Sequence, residues 1–562
     1  MDFIITFSIL VIAATIIMYI FNRFKQPSIL AYIVTGILIG PLVFGWVSNT
    51  EEIILLSKIG IAFLLFSVGI STDLKQLKKI NVSVFVLPVI NIILTFLLLM
   101  LLKNLFVIDF VQALYLSFIL SFSSTMLVAK ILLDNFEISS LQGKISIGIL
   151  LVEDFIAILA IPILKDVLNF SSVLIFTVIG KTIILIVLAF LLNKFVYPVI
   201  IKQTFKSGPG FFLLSIGSCF LFILVSLFLN FDIAVGAFIG GLAISIFPYN
   251  LEISNKVSGL RNLLSMIFFV SLGMQLSFNF KGGVFILFLG LFLFVFLVKP
   301  LIHFFTLLLS GYGSRISTKS TIILTQVSEF SLILAMQGWI LGQLTQSQYS
   351  VIIIITSLSM LLTPYLYNYS DNIFNYLKPF FSKFKSRYVN RKVNYLKNIP
   401  KKLENHIVIV GSDDVGEAIR TVMGRDINIP YVVVDQNPDK IIPLIKKKVN
   451  CVCGDINNEE VINSLRLLNA KAVILTLPRF DTIIRFLKTG KTINPKLIVY
   501  CRAENKDQVL KLYEHGADLV ILPKVLESNF LLEKINVLIS KGSDNLSSYK
   551  SPYIDYLKRD LK

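Results

Sequence analysis

Apolar residues fill the first two thirds of the chain in stretches of about twenty, each long enough to cross a ~30 Å hydrocarbon core as a helix. The first covers residues 1–22. It has neither a basic leader region nor a small-residue cleavage site, so it reads as a retained span. Others follow at 28–46, 53–72, 82–102, 111–133, 143–165, 172–193, 210–229, 232–248, 258–278, 283–309, 317–341 and 348–369, which makes thirteen. After residue 370 the pattern changes. Residues 371–404 are basic and aromatic and read as a linker lying on an anionic membrane surface. Short β-rich runs then alternate with helical segments: 406–410, 431–435, 450–455, 472–477, 497–503 and 516–523. That alternation predicts a parallel, doubly wound sheet. The resulting division is a membrane domain (1–370), the linker (371–404), an α/β domain (405–530) and a tail (531–562).

Composition agrees with this reading. Of 562 residues, 55% are hydrophobic and only 15% charged, and the mean hydropathy is +0.81, as in a polytopic membrane protein. The net charge of +18 is concentrated in short loops and the linker, where asymmetric basic residues set topology. Lys75, Lys78, Lys79, Lys130, Lys144, Lys194, Lys202, Lys206, Lys256, Arg261, Arg315 and Lys319 fall in alternate loops. They place the N-terminus outside a cell membrane and the α/β domain in the cytoplasm, and they account for the charge without nucleic acid. Four cysteines, Cys219, Cys451, Cys453 and Cys501, form no disulfide or metal pattern.

Candidate chemistry lies inside the spans. Glu153 and Asp154 sit near the middle of the sixth, Asp154 about 16 Å from its start, at bilayer midplane. Ionisable groups at that depth mark ion or proton pathways. Ser121, Ser123, Ser124 and Thr125 cluster midway through the fifth span, and Thr325, Gln326, Ser328 and Glu329 midway through the twelfth. Two such clusters predict a pair of interrupted helices beside an ion site. Lys299, late in the eleventh span, is the leading counter-charge for the acids. Lys58 and His303 lie near boundaries, Asp232 reads as a helix cap, and Lys181 has no assigned role.

Seven stretches appear in order: KQPSILAYIVTGILIGP (25–41), KIGIAFLLFSVGISTDL (58–74), SFSSTMLVAKIL (121–132), LLVEDF (150–155), FDIAVGAFIGGLAIS (231–245), IFFVSLGMQL (267–276) and QVSEFSLIL (326–334). Together they resemble the monovalent cation:proton antiporter-2 family, of potassium-efflux and sodium/proton type. The resemblance implies inverted repeats, a homodimer, and a core of spans four to six and eleven to thirteen that moves against a dimer domain. It also implies that spans five and twelve cross as broken helices beside the essential aspartate. Carried over, Asp154 is the residue that binds a monovalent cation or a proton, Lys299 the lysine that pairs nearby, and Glu329 the acid at the broken twelfth span. Glu153 departs from the glutamine or aspartate usual there and allows a Glu153–Lys299 pair. Ser328 stands where glycine is usual, which leaves the helix break in question.

The turn after the first strand of the α/β domain nearly matches G-x-G-x-x-G. Gly411 and Gly416 are in place, Asp413 occupies the second glycine position, and Asp435 stands where a ribose is bound. With GDIN (454–457) and GADLVILP (516–523), the segment resembles the TrkA-N type of regulator of potassium conductance (RCK) domain. That implies control by an adenine nucleotide or NAD(H), a role Asp413 opposes because its charge repels a pyrophosphate. An adenosine-type ligand or a purely dimerising domain are the alternatives, and an ancillary regulatory subunit stays open.

The sequence therefore predicts a polytopic α-helical membrane protein with a cytoplasmic Rossmann-like RCK domain. It would exchange K⁺ or Na⁺ for H⁺ by alternating access, as a transporter and not an enzyme, since no Walker-type loop is present. The rivals are a ligand-gated K⁺ efflux channel, which lacks any TVGYG-like filter here, and a non-transporting membrane sensor.

Overall fold

The computed structural model describes residues 3–24, 26–47, 50–71, 82–165, 172–204, 208–245, 250–277, 283–382, 396–400, 402–426 and 429–541. The loop lysines at 75, 78, 79 and 206, most of the second half of the linker and the end of the tail lie outside the described residues. The chain forms two compact units, one of Met1–Ile138 with Gln142–Arg391 and one of Ser139–Leu141 with Lys392–Lys562.

Among the described residues the first unit contains eight helices long and apolar enough to cross a membrane and four shorter apolar helices, at Ser28–Ile39, Ser57–Ile70, Phe212–Phe228 and Ile233–Ile244. Their outward residues, such as Ile16, Phe176, Phe190 and Leu309, are exposed and apolar, as a lipid-facing surface requires. The expected ninth and tenth spans are helical at Ile233–Ile244 and Asn250–Met274. Both the expected fifth and twelfth spans are interrupted. The fifth is Phe110–Ser121 followed by Thr125–Asp134, and the twelfth is Ser314–Ile323 followed by Glu329–Ile340.

Glycine sets two of the closest helix contacts. A Cβ on Gly69 would lie 3.0 Å from the Cα of Gly241, and one on Gly241 3.0 Å from the Cα of Gly69, so the third and ninth spans touch backbone to backbone. Gly36 and Gly273 join the second and tenth in the same way.

The second unit is a seven-stranded sheet. Its strands are β1 (Lys397–Asn398), β2 (His406–Val410), β3 (Tyr431–Asp435), β4 (Cys451–Cys453), β5 (Ala470–Leu475), β6 (Ile498–Arg502) and β7 (Leu519–Ile521), in the order β1-β4-β3-β2-β5-β6-β7. β2 to β7 are parallel, as their buried apolar runs predict. β1 was not expected. It falls within the predicted linker and pairs antiparallel with β4, at the edge of the parallel set. The linker also opens with a helix, Ser370–Ser382.

Candidate functional site

The fifth span breaks where its hydroxyl residues offer the backbone other partners. Helix stops at Ser121, Phe122 is extended (φ −77°, ψ 147°), and Ser124 caps the next helix by accepting from the Leu127 amide at 3.3 Å. In the twelfth span Ser328 takes an extended backbone (φ −78°, ψ 155°) and caps Glu329–Ile340, accepting from the Phe330 amide at 3.1 Å. The break therefore forms with serine in place: an extended N-cap needs no positive φ, so glycine is not required there.

The two breaks satisfy each other. The Ser328 amide donates to the Phe122 carbonyl (3.1 Å), Ser123 Oγ to the Leu324 carbonyl (2.9 Å), and Gln326 Nε2 to the Ser124 carbonyl (3.1 Å). Ser331 Oγ donates to the Ile119 carbonyl at 2.6 Å, and the Val327 amide to Ser359 Oγ of the thirteenth span at 3.0 Å. Freed peptide groups inside an apolar bundle would otherwise each cost several kcal/mol.

The acids stand beside this junction. Glu153 Oε2 accepts from the Ser123 amide at 2.8 Å, and Asp154 Oδ2 from the Thr125 hydroxyl at 2.8 Å. Glu153 and Glu329 are each 1% exposed and Asp154 is 6% exposed, so of the three Asp154 has the most access. Glu153 Oε1, Glu329 Oε2 and Gln326 Oε1 are buried with no protein partner.

Lys299 does not form the expected contact. Its ammonium donates to the carbonyls of Phe122 (3.0 Å) and Gln326 (2.6 Å), and no ion pair joins it to Glu153 among the described residues. Electrostatics favours this arrangement: helix C-terminal ends carry about half a negative charge and N-terminal ends about half a positive one. Lys299 lies at the carbonyl ends of the two breaks, while Glu153 faces an amide and Glu329 opens a helix.

Several groups were not anticipated. His303 is buried and lies 3.2 Å from Asn91 Nδ2. Glu137, also buried, accepts from Gln142 and Tyr367 and lies 3.4 Å from Lys319, which approaches Asp371 of the linker helix at 3.5 Å. Ser359 had no signal beyond a hydroxyl in an apolar run. Lys58 is exposed, Asp232 caps its helix through the Ala234 amide, and Lys181 lies over the Phe231 ring at 5.7 Å.

In the second unit, Gly411 has φ +98°, and a Cβ there would strike the Thr476 hydroxyl; a Cβ on Gly416 would strike the Gly411 carbonyl. Both glycines are thus required by the turn. Asp435 accepts from the Ser412 and Asn437 amides, each at 2.7 Å, and Asp413 pairs with Lys440. Both Asp435 carboxylate oxygens are thereby engaged by amides of the turn.

Comparison with known proteins agrees with both halves. Residues 9–367 match the model of the transmembrane sodium/hydrogen exchanger family, and residues 407–523 match the TrkA-N domain. A relative described as a cation/proton antiporter, YbaL of Escherichia coli, is 26% identical over 518 residues, covering 89% of this chain and 91% of its own. The Na(+)/H(+)-K(+) antiporter GerN of Bacillus cereus is 26% identical over 351 residues, 62% of this chain and 91% of GerN. The sodium proton antiporter MjNhaP1 of Methanocaldococcus jannaschii shares the fold of the membrane unit, with a TM-score of 0.52 at 18% identity over 66% of this chain and 97% of that one. Since the exchanger match takes in more than half of the sequence, the chain belongs to the transmembrane sodium/hydrogen exchanger family and carries a TrkA-N domain behind it.

Proposed function

We propose that the chain is a secondary active antiporter that exchanges K⁺ or Na⁺ for protons at Asp154. The observation that carries this reading is a buried carboxylate, hydrogen-bonded by one hydroxyl, next to two broken helices and three buried oxygens without protein partners. Such oxygens can replace part of the hydration shell of a monovalent cation. A proton on Asp154 removes the charge that attracts the cation, so the two compete and their fluxes are coupled. Glu153 and Lys299 hold the breaks in place: one binds the Ser123 amide, the other the Phe122 and Gln326 carbonyls.

In this reading thirteen segments cross the membrane with the N-terminus outside, and spans five and twelve cross at their breaks. The core of spans four to six and eleven to thirteen moves against a scaffold of spans one to three and eight to ten. The TrkA-N unit regulates this movement from the cytoplasm. Its ligand is an adenosine-type molecule without a pyrophosphate, which spares the Asp413–Lys440 pair. A homodimer is supported by Pro523–Lys541, whose Val525, Leu526, Leu531 and Ile539 are exposed apolar side chains suited to a partner.

The test is proton movement in proteoliposomes followed with a pH-sensitive dye, adding K⁺ or Na⁺ in turn. One cation should drive proton exchange in the unmodified protein and fail to do so in Asp154→Asn. Equal exchange by the variant would place the coupling elsewhere.

A further inference from the structure

The two kinds of helix contact in the membrane unit differ in chemistry. Within the scaffold, the second and tenth spans and the third and ninth meet backbone to backbone through glycine pairs, contacts that close packing makes permanent. Between scaffold and core, at the helix ends remote from Ser370–Ser382, apolar packing is joined by polar contacts mediated by side chains. Gln275, which follows the tenth-span helix Asn250–Met274, is their hub. Its side-chain oxygen accepts from the buried Tyr349 hydroxyl at 3.1 Å, and its carbonyl accepts from Gln346 Nε2 at 2.6 Å. Two residues on, the Ser277 amide donates to Ser350 Oγ at 3.1 Å, and the two serine hydroxyls lie 3.3 Å apart. Gln346, Tyr349 and Ser350 all belong to the first turns of the thirteenth span. A separate link joins Gln337, late in the twelfth span, to Asp232, the cap of the ninth, at 3.3 Å.

Tyr349 is set for this contact by a parallel stack against Trp339, with ring centroids 5.1 Å apart and an interplanar angle of 3°. The stack joins two spans of the core, so the tyrosine moves with the core and presents one hydroxyl to the scaffold. Side-chain hydrogen bonds of this kind can be exchanged for water at little net cost, whereas a glycine crossing cannot open without losing its packing.

We propose that Gln275, with Tyr349, Gln346 and the Ser277–Ser350 pair, is a latch that holds core to scaffold at this end of the bundle and must open once in every transport cycle. This rests on the antiport reading above and adds to it the residues that set which side of the membrane the ion site faces. Gln275 is a positioning residue: it touches neither the ion nor the acids.

The experiment uses the full chain carrying Ser277→Cys and Ser350→Cys in proteoliposomes, with cross-linking measured by the loss of thiols able to react with maleimide. The four natural cysteines are buried. With the pair reduced, cation-driven proton exchange should proceed; after oxidation it should fall at least tenfold and return with reductant. Efficient cross-linking with an unchanged exchange rate would overturn the latch, as would thiols that stay free under oxidant. Should the reduced pair itself be inactive, Gln275→Leu decides. It keeps the bulk and removes the acceptor for Tyr349, and it should shift the cation KM at least threefold while the cation still drives exchange. Unaltered KM and turnover would overturn the proposal. Absence of exchange in the unmodified protein is a separate result, which would sink the antiport reading and the latch with it.

Discussion

Glu153 and Asp154 are neighbours in sequence but do different work, because successive helix positions point about 100° apart. Glu153 turns to the Ser123 amide and holds the first break, whereas Asp154 turns to the Thr125 hydroxyl and keeps the greater access. Asp154→Asn should therefore abolish exchange with little loss of stability, while Glu153→Gln keeps an oxygen for the Ser123 amide and should retain exchange; liposome assays and thermal melts separate the two. Lys299→Ala removes two charge-assisted hydrogen bonds from a buried site and should cost roughly 3–5 kcal/mol, read as a fall in Tm. In the second unit, burial pushes Asp518 up, but hydrogen bonds from Lys491 and the Val499 amide outweigh it and hold the carboxyl below its ordinary value. Its stabilising effect is then present above the unfolded value of about 3.9 and lost as pH falls through the folded one. Asp518→Asn should remove that acid sensitivity at a cost of about 1 kcal/mol or less at neutral pH, measured by hydrogen exchange in β6 and β7.

At the scale of elements, the breaks were legible because hydroxyl clusters inside apolar spans are local signals of competition for the backbone. What they bond to was not, since the partners of a freed carbonyl lie on another span: Lys299 was expected on Glu153 and is found on Phe122 and Gln326. Ser328 illustrates the same limit. Glycine suggests a turn with positive φ, but a helix start needs only an extended cap with a side-chain oxygen, which serine supplies. Ser328→Ala should cost about 1 kcal/mol and Ser328→Gly a few tenths, whereas at a strained positive-φ turn Ser328→Gly would stabilise and Ser328→Ala would change little; denaturation of the purified variants distinguishes them. The strand β1 escaped notice because two polar residues inside a basic run carry no period, and only pairing with β4 makes them a strand.

For the whole molecule, the change from long apolar runs to short alternating ones was enough to separate a membrane unit from an α/β unit. The polar links on which movement depends join residues far apart in sequence and could not be read from either pattern. The same holds for Asp413, whose charge was visible while its partner Lys440 was not. The account of the whole rests on one carboxylate shared by a cation and a proton, and the measurement that tests this most directly is the cation KM for exchange in proteoliposomes as a function of pH. Competition at Asp154 predicts a KM that rises as pH falls, approaching tenfold per pH unit on the acid side, while the maximal rate at saturating cation stays constant. A maximal rate that falls with acid at unchanged KM would mean that the proton and the cation occupy different sites, and would contradict the mechanism.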